Sequence, residues 1–423
     1  MKKIELPEGS AWKNIIQRPV IDTATLEQQV RGVLNVVKQD GDTAVFQFTR
    51  QFDGVQLSSL EVTEEEIEST IQQVPDDLKR AIKQAANNIR VFHEKQKTGI
   101  EIVETMKGVR CWRKSVGIDK VGLYIPGGTA PLFSTILMLA IPAQIAGCKE
   151  VILCSPPDKE GKLNPAILYA ASLTGVHRIF KIGGVQAIAA MAYGTASVPK
   201  VYKIFGPGNQ YVTCAKQLVQ QEGIAIDMPA GPSEVCVLAD RTANASYVAA
   251  DLLSQAEHGV DSQVLLVSTD SQLIDDVMKE LNVQLEQLPR KDLAAKALEN
   301  SKAVLVKNIE DAIELVNEYA AEHLILSCEN DESVAEKITN AGSVFLGNYS
   351  PESVGDYASG TNHTLPTNGF ARAYSGVSLD SFVKKITYQR LTKEGLSAIA
   401  PTVTAMASAE GLEAHKRAVT IRL

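Results

Sequence analysis

The sequence predicts an α/β protein built on parallel sheets. Between residues 116 and 240, short apolar strands alternate with alanine-rich helices. The alternation resumes after Gly231 and continues to the strand SVFLG, which ends at residue 347. Strands that alternate with helices at this spacing are typical of a doubly wound parallel sheet. We therefore expect two nucleotide-fold-like domains in this chain of 423 residues.

The first hundred residues carry different patterns. Residues 1–20 contain two prolines and a tryptophan, and we expect an extended arm that packs on another surface. From about Thr23 to Thr98 the apolar residues recur at helical spacing, as in LEQQVRGVLNVVKQDG, which ends at Gly41. Thr63 followed by Glu66 matches a capping box at the start of another helix. A helical prelude therefore precedes the strand–helix units.

The middle of the chain divides at its turns and the end becomes polar. The segments VGLYIPGG, EVILCSPP, HRIFKIGG and KVYKIFGPGN are each predicted as a strand that leads through a turn into a helix. The tail is interrupted by Gly395, Pro401 and Gly411, so we expect an arm there. The predicted organisation is an arm at 1–20, a first unit at 21–120 plus 234–380, a second unit at 121–233, and a C-terminal arm at 381–423.

Composition excludes several classes of protein. The net charge of −8 argues against a duplex nucleic-acid binder, which would carry a basic face. The start MKKIELPEGSAW has no apolar signal region, and the most apolar stretch, 131–147, is too short and too polar to span a bilayer. The six cysteines form no C-x-x-C pair, and burial is favoured over a catalytic role for Cys148 and Cys236. We expect a cytoplasmic protein with reduced thiols and no membrane partner.

Four of the six histidines lie in short polar segments of the second half: SQAEHG, AEHL, GDYASGTNH and AEGLEAHK. Each segment combines an imidazole with a carboxylate or carboxamide. Such groups bind divalent metals such as zinc and transfer protons near neutral pH. The sequence therefore predicts a metal or proton-transfer site formed by these segments.

The first segment ends a helix predicted over Ala245–His258. Asp251, Gln255 and His258 fall on one face of it, and Gly259 is a natural stop. A solvated polar stripe is the alternative for this face. In the second segment, Glu322 and His323 lie at a helix-to-strand junction, where they can act in series as a water activator and a base. The alternative there is a histidine that favours the helix dipole.

The other two segments are a loop and part of the tail. Residues 347–369 are rich in Gly, Ser, Asn and Pro and contain Asp356 and His363, which favours a functional loop over a solvated one. Glu410 and His415 lie near the C-terminus, where a histidine is usually just exposed.

Three glycine turns each follow a predicted strand: IPGG (125–128), KIGG (181–184) and FGPGN (205–209). Backbone N–H groups at such positions can receive a phosphate or a nucleotide. No G-x-G-x-x-G is present, and each turn alone has a purely structural interpretation. Together they predict a ligand crevice at one sheet edge, with Tyr124, Gln186 and Asn209 in contact with a cofactor.

Several longer segments occur together and in order: YIPGGTAPLFST, KIGGVQAIAAMAYGT, KIFGPGNQYVTCAK, DMPAGPSEV, SQAEHG, AEHL and GDYASGTNHTLPT. In this respect nearly the whole chain resembles the histidinol dehydrogenases. The resemblance implies oxidation of L-histidinol to L-histidine in two NAD-dependent steps, the last of histidine biosynthesis. It implies two incomplete Rossmann-like domains akin to the aldehyde dehydrogenases, with NAD on the 121–233 side. It also implies a homodimer with swapped terminal segments, in which 381–423 is a dimerisation arm.

The same resemblance implies roles for the residues above. One zinc per subunit would be held by Gln255, His258, Asp356 and His415, with His415 supplied by the partner's tail. The catalytic pair would be Glu322 and His323, with a neutral His323 as base. Substrate contacts would come from Ser233, Gln255, His258, His323, Asp356, His363, Glu410 and His415. NAD contacts would come from Tyr124, Gln186 and Asn209.

Two other functions use the same residues. A zinc hydrolase could use these ligands and a glutamate to attack an amide or ester with water. The three glycine turns argue against it, because a hydrolase needs no dinucleotide crevice. A regulator that binds zinc or NAD without turnover is the second alternative.

Overall fold

The structure, a computed structural model, describes residues 1–18, 23–127, 131–229 and 231–423, with only the backbone of Ser10, Thr23 and Ala24. The strands are β1 (Lys2–Glu5), β2 (Ile102–Met106), β3 (Val109–Gly117), β4 (Lys120–Tyr124), β5 (Glu150–Ser155), β6 (Arg178–Lys181), β7 (Lys203–Phe205), β8 (Ala225–Ile226), β9 (Glu234–Ala239), β10 (Gln263–Ser268), β11 (Lys302–Leu305), β12 (His323–Ser327), β13 (Ser343–Leu346) and β14 (Val383–Leu391). The helices are α1 (Gly9–Ile15), α2 (Thr23–Asp40), α3 (Asp42–Phe52), α4 (Glu64–Ile71), α5 (Asp76–Glu94), α6 (Phe133–Ala146), α7 (Pro165–Leu173), α8 (Gly184–Tyr193), α9 (Gln210–Gln221), α10 (Ala245–Ala256), α11 (Ser271–Leu285), α12 (Lys291–Glu299), α13 (Ile309–Tyr319), α14 (Asp331–Ala335), α15 (Glu352–Tyr357), α16 (Lys393–Ala409) and α17 (Glu413–Thr420).

The first parallel sheet has the order β6-β5-β4-β7-β8. The predicted α/β class and parallel pairing are confirmed. The strand order reverses between β4 and β7, which is where open α/β sheets bind ligands, outside the carboxyl ends of the strands. The glycine turns at 125–127, 181–184 and 205–209 directly follow β4, β6 and β7 at that edge. Gly128, the last residue of the first turn, lies outside the described residues.

The second parallel sheet has the order β1-β11-β10-β9-β12-β13. Its edge strand β1 comes from the N-terminal segment and pairs with β11 of the same chain. Helix α1 follows it and buries Trp12, with Ile16 beyond, against side chains of β9–β12. The expected extended segment that packs on another surface is present at β1, but Gly9–Ile15 is helical. Residues 19 and 20 lie outside the described residues. The apolar residues of the N-terminal segment pack on this chain's own sheet because Trp12 and Ile16 need a core.

The helical prelude packs on the first sheet. Buried side chains of α2 and α3 lie in one core with α8 and α9, and those of α4 and α5 lie in another with α6 and α7. The grouping of the prelude with 234–380 is therefore corrected. Helices α6 and α8 are apolar on nearly all sides and cannot face water, so the amphipathic prelude helices cover them. The remaining domain boundaries stay a prediction.

A third sheet carries the tail. Strand β14 pairs antiparallel with β3, which also pairs with β2, and Trp112 stacks on Tyr388. Helices α16 and α17 follow and remain mostly exposed. The polar arm predicted at 381–423 thus contains a strand and two helices, and its role in dimerisation stays a prediction. Over the part of the chain that the structure describes, none of the helices has the length and apolarity needed to cross a bilayer.

Candidate active site

Glu322 and His323 lie at the amino edge of the second sheet. His323 is the first residue of β12 and pairs in register with Ser343 of β13, and Glu322 directly precedes it. Both side chains are buried. The predicted helix-to-strand junction is confirmed, since α13 ends at Tyr319. The pair therefore lies beside the carboxyl end of a helix, where partial negative charge favours a cation.

The imidazole of His323 contacts three oxygen-bearing groups. Its Nδ1 lies 3.2 Å from the carbonyl oxygen of Glu234 and 3.6 Å from Oε2 of Glu322. Its Nε2 lies 3.2 Å from Oδ1 of Asp356. A carbonyl and a carboxylate can only accept hydrogen bonds, so the ring donates from both nitrogens here.

The loop at 347–369 is brought to the same place. His363 donates from Nδ1 to the carbonyl oxygen of Asp356 at 2.8 Å, and its Nε2 lies 2.9 Å from Oγ1 of Thr135 on α6. Burial lowers the pKa of His363, so Nε2 is the acceptor in the contact with Thr135. The predicted functional loop therefore joins the second sheet to the first turn of α6.

Helix α10 supplies the next two residues. Gln255 is 0% exposed, and neither atom of its amide group has a hydrogen-bond partner. His258 follows the helix end at Ala256 and is exposed at the surface of the single chain. It is close enough to Asp356 and His323 for both to act on its pKa, which its surroundings lower. We call Gln255, His258, Glu322, His323, Asp356 and His363 the polar cluster.

Charges within the polar cluster shift one another. Burial alone would raise the pKa of Asp356, but His323, His363 and His258 together hold it below its usual value. Burial alone would lower the pKa of His323, but Glu322, Asp356 and Glu352 raise it to about 10. The carboxylates around the ring therefore favour its charged form, in contrast to the neutral His323 that was expected.

Two further carboxyl groups belong to this region and were not predicted as site residues. Glu352 is buried; its Oε1 accepts a hydrogen bond of 2.6 Å from Ser254, and its Oε2 has no partner. Burial raises the pKa of Glu352 to about 7, and the pKa of Asp251 on α10 is also raised to about 7. An acidic residue in a loop without apolar periodicity gave no signal of burial.

Other predicted substrate residues are placed differently. Ser233 is partly exposed and directly precedes β9, next to Glu234. Glu410 and His415 are exposed on the tail, and no hydrogen bond or ion pair links them to the polar cluster among the residues described. Within the described ranges, no three His, Cys, Asp or Glu side chains are placed to hold a metal. Of the four predicted zinc ligands, His258 and Asp356 are close enough to affect each other's pKa, and no contact joins His415 to them among the described residues.

A cavity of about 1640 Å³ opens at the carboxyl edge of the first sheet. Tyr124, Gln186 and Asn209 all line it, as do Pro156 and Gly184. The predicted crevice is therefore present, and it exceeds the roughly 300–1,000 Å³ usual for small-molecule pockets. None of the polar cluster lines this cavity.

The three predicted cofactor residues differ in what they already contact. The hydroxyl of Tyr124 accepts a hydrogen bond of 3.1 Å from the backbone of Gly184. Gln186 is buried, with Nε2 3.4 Å from Oδ2 of Asp53 and Oε1 without a partner. The side-chain oxygen Oδ1 of Asn209 caps α9 by accepting hydrogen bonds from the backbone N–H groups of Tyr211 and Val212. Asn209 therefore has a structural role in addition to its place in the cavity wall.

The start of α6 lies between the cavity and the polar cluster. Pro126, Gly127 and Pro131 line the cavity, and Thr135, four residues after Pro131, contacts His363. Residues 128–130 between them lie outside the described residues. A ligand in the cavity and a molecule at the polar cluster would thus both lie near the start of α6.

Comparison with known proteins identifies the family. The family model for histidinol dehydrogenase matches residues 16–423. A histidinol dehydrogenase of Bacteroides thetaiotaomicron is 61% identical over 423 residues, which is 100% of this chain and 99% of the relative. A chloroplastic histidinol dehydrogenase of Arabidopsis thaliana is 53% identical, over 100% of this chain and 91% of the relative.

A solved structure agrees with these relatives. The crystal structure of histidinol dehydrogenase from Elizabethkingia anophelis superposes with a TM-score of 0.98 at 56% identity, covering 100% of this chain and 98% of that one. The fold and the sequence therefore lead to the same assignment. The chain is an oxidoreductase and belongs to the histidinol dehydrogenase family.

Proposed function

We propose that this protein oxidises L-histidinol to L-histidine through the aldehyde, with NAD as the oxidant and one zinc ion per subunit in the polar cluster. The observation that carries the proposal is the amide of Gln255, which is completely buried and has no hydrogen-bond partner, in the last turn of the helix that leads to His258. Leaving a buried amide unpaired costs roughly 1–3 kcal/mol. Coordination of a cation by the amide oxygen of Gln255 would remove part of that cost.

The donor set fits zinc. An imidazole, a carboxylate and an amide oxygen from Gln255, His258 and Asp356 are ligands that zinc accepts, and they leave positions open. The partner subunit's His415 would be the fourth ligand, supplied by the exposed tail. When bound, the ion would take up the charge of Asp356, bind nitrogen atoms of the substrate and so hold the reacting carbon while the cofactor exchanges.

In the first step His323 acts as base. This role needs the neutral ring with Nε2 free, which would arise once a bound cation took up the charge of Asp356. Nε2 would then take the proton of the substrate hydroxyl as the carbon gives up a hydride to NAD, which leaves the aldehyde, the reduced cofactor and one added proton on the ring. The Nδ1–H of His323 stays hydrogen-bonded to the carbonyl oxygen of Glu234, so only Nε2 exchanges protons. His363 and Glu410 would contact the substrate beside it, with Ser233 at the start of β9.

In the second step Glu322 acts on water. Its carboxylate takes a proton from the water as the oxygen attacks the aldehyde carbon, and the resulting hydrate gives its hydride to a second NAD to yield the acid. Burial raises the pKa of Glu322 to about 8, against the opposing effect of His323. Such a group is a stronger base than an exposed carboxylate, which suits it to this role.

The cavity of the first sheet would hold NAD. The glycine turns lie where helix N-termini and backbone N–H groups receive phosphates, and Tyr124, Gln186 and Asn209 line the walls. A hydrolase would have no use for this cavity. We further propose a cytoplasmic homodimer in which each tail completes the site of its partner.

The deciding experiment is metal analysis of the purified protein combined with a histidinol assay before and after chelation. We expect about one zinc per subunit, reduction of NAD in two equivalents per histidinol, and loss of both with chelator. Reduction of NAD that persists in metal-free protein would overturn the zinc part. Zinc and NAD binding without turnover of histidinol would favour the regulator instead.

A further inference from the structure

The backbone of Glu234 holds both members of the catalytic pair. Its N–H donates a hydrogen bond of 2.9 Å to Oε2 of Glu322, and its carbonyl oxygen accepts one of 3.2 Å from Nδ1 of His323. One residue at the start of β9 therefore fixes the rotamer of Glu322 and the tautomer of His323. A small shift of this residue would move both groups together.

The side chain of Glu234 is in turn held by Arg18. Glu234 is buried, and its two carboxylate oxygens accept hydrogen bonds from Nε and Nη2 of Arg18, the latter at 2.8 Å. The backbone N–H of Asn368 adds a third donor at 3.0 Å. A planar guanidinium matches a carboxylate in this two-point geometry, which a lysine ammonium cannot reproduce.

Arg18 also contacts the segment that carries the catalytic pair. Its Nη2 donates to the carbonyl oxygen of Tyr319 at 2.8 Å, and its Cζ lies 4.2 Å from the centre of the Tyr319 ring. Tyr319 ends α13, and Ala320 next to it is left-handed, with φ of 53°, a conformation that a residue with a Cβ rarely adopts. The guanidinium thus ties the start of β9 to the turn that leads into Glu322.

We propose that Arg18 and Glu234 are positioning residues for the catalytic pair, and that the contact of the Arg18 guanidinium with Glu234 and Tyr319 sets the geometry of Glu322 and His323. The proposal rests on the proposed roles of those two residues. Arg18 lies just beyond α1, which the buried Trp12 anchors on the second sheet. The N-terminal segment therefore contributes to the chemistry as well as to the core.

The test compares Arg18→Lys and Arg18→Ala with Trp12→Leu, each as zinc-loaded enzyme with its NAD and histidinol. Misplacement of a catalytic group can cost up to about a hundredfold, so we expect kcat to fall about tenfold or more in Arg18→Lys with KM for histidinol within about twofold. Free guanidinium ion at low concentration should partly restore kcat in Arg18→Ala. Trp12→Leu, which weakens the docking but keeps the guanidinium, should lower Tm and leave kcat within about twofold.

Two results would overturn the proposal. One is a kcat for folded Arg18→Lys that equals that of the wild type. The other is an equal loss of kcat in Trp12→Leu with no recovery by guanidinium in Arg18→Ala, which would mean that the segment acts only through stability. Glu322→Gln and His323→Ala serve as references: if these retain full turnover, the proposed function itself fails, whereas their inactivity beside a normal Arg18→Lys would reject only this inference.

Discussion

The two parallel sheets expose opposite ends of their strands to the candidate active site. The first sheet presents its carboxyl edge, where the glycine turns follow β4, β6 and β7 and line the large cavity. The second presents its amino edge, where Glu234 begins β9 and His323 begins β12. The carboxyl edge is lined by backbone and neutral side chains near helix starts, whereas the amino edge carries buried charge.

The difference follows from the polarity of the helices beside each edge. In a parallel α/β layer, helices begin near the carboxyl ends of the strands and end near their amino ends. The N–H groups of helix starts favour anions such as phosphates, and the carbonyl groups of helix ends favour cations. Helix α8 begins at the cavity with Gly184, while α10 and α13 end beside the polar cluster. The same fold thus has one edge that favours an anionic ligand and one edge that favours a cation.

The largest effect is expected from a substitution that removes a catalytic group at the amino edge and leaves the carboxyl edge unchanged. In Glu322→Gln, oxidation of the aldehyde should slow by about 10²–10⁴-fold, because the base that activates water is lost. Oxidation of the alcohol should slow less, since His323 is kept. The measurement is reduction of NAD in single turnovers started from the alcohol and from the aldehyde.

A matched control for that variant lies on α13. Glu314 is exposed on the helix that precedes the catalytic pair, and Glu314→Gln should leave both steps unchanged. NAD affinity should also be unchanged in Glu322→Gln, because the cavity does not include that residue. Equal slowing of both steps would show that Glu322 is not the water activator.

The next prediction targets the carboxyl edge alone. A Cβ added at Gly183 would lie 2.5 Å from Cβ of Pro156. The ring of Pro156 also packs against Gly127, so it has no room to move away. Gly183→Ala should therefore push the glycine turns apart, weaken NAD binding about tenfold and cost about 1–3 kcal/mol of stability. Calorimetric titration with NAD and metal analysis would measure these effects, with zinc content unchanged.

Gly99→Ala is the comparison for that experiment, because nothing lies within 4 Å of a Cβ at Gly99. It should bind NAD as the wild type does. If Gly183→Ala lost zinc together with NAD affinity, the two edges would not be independent, and the comparison between them would fail.

Sequence patterns predicted the parts of both edges that depend on local structure. The place of Gln255 in the last turn of α10, with His258 just beyond it, and the junction at Glu322 and His323 follow from local patterns. The Arg18–Glu234 pair could not be predicted this way, because it depends on the docking of a segment 216 residues away. Glu352 was missed for a similar reason: its burial comes from Ser254 on a different helix.

The packing of the prelude was missed for another physical reason. Amphipathic helices such as α5 carry an apolar face but no mark of which sheet it covers. The packing partner of α5 is determined by α6, because the buried residues of α6 extend over nearly its whole circumference and require a covering helix. The pKa of His323 could not be predicted from the sequence either, since it depends on burial and, besides the adjacent Glu322, on the carboxylates of Asp356 and Glu352, which are distant in the chain.

The last prediction tests whether only the amino edge needs a second copy of the chain. His415 and Glu410 are exposed on the tail, whereas the cavity is lined within one chain by residues from Gln29 to Tyr211. A subunit truncated before α17 should therefore bind NAD normally but lose zinc and activity. Mixed with a His323→Ala subunit, it should recover about a quarter of wild-type turnover, because half of the dimers are mixed and each has one complete site. The measurement is histidinol-dependent reduction of NAD in dimers whose composition is verified by mass; mixed dimers without activity would mean that the tail acts on its own subunit.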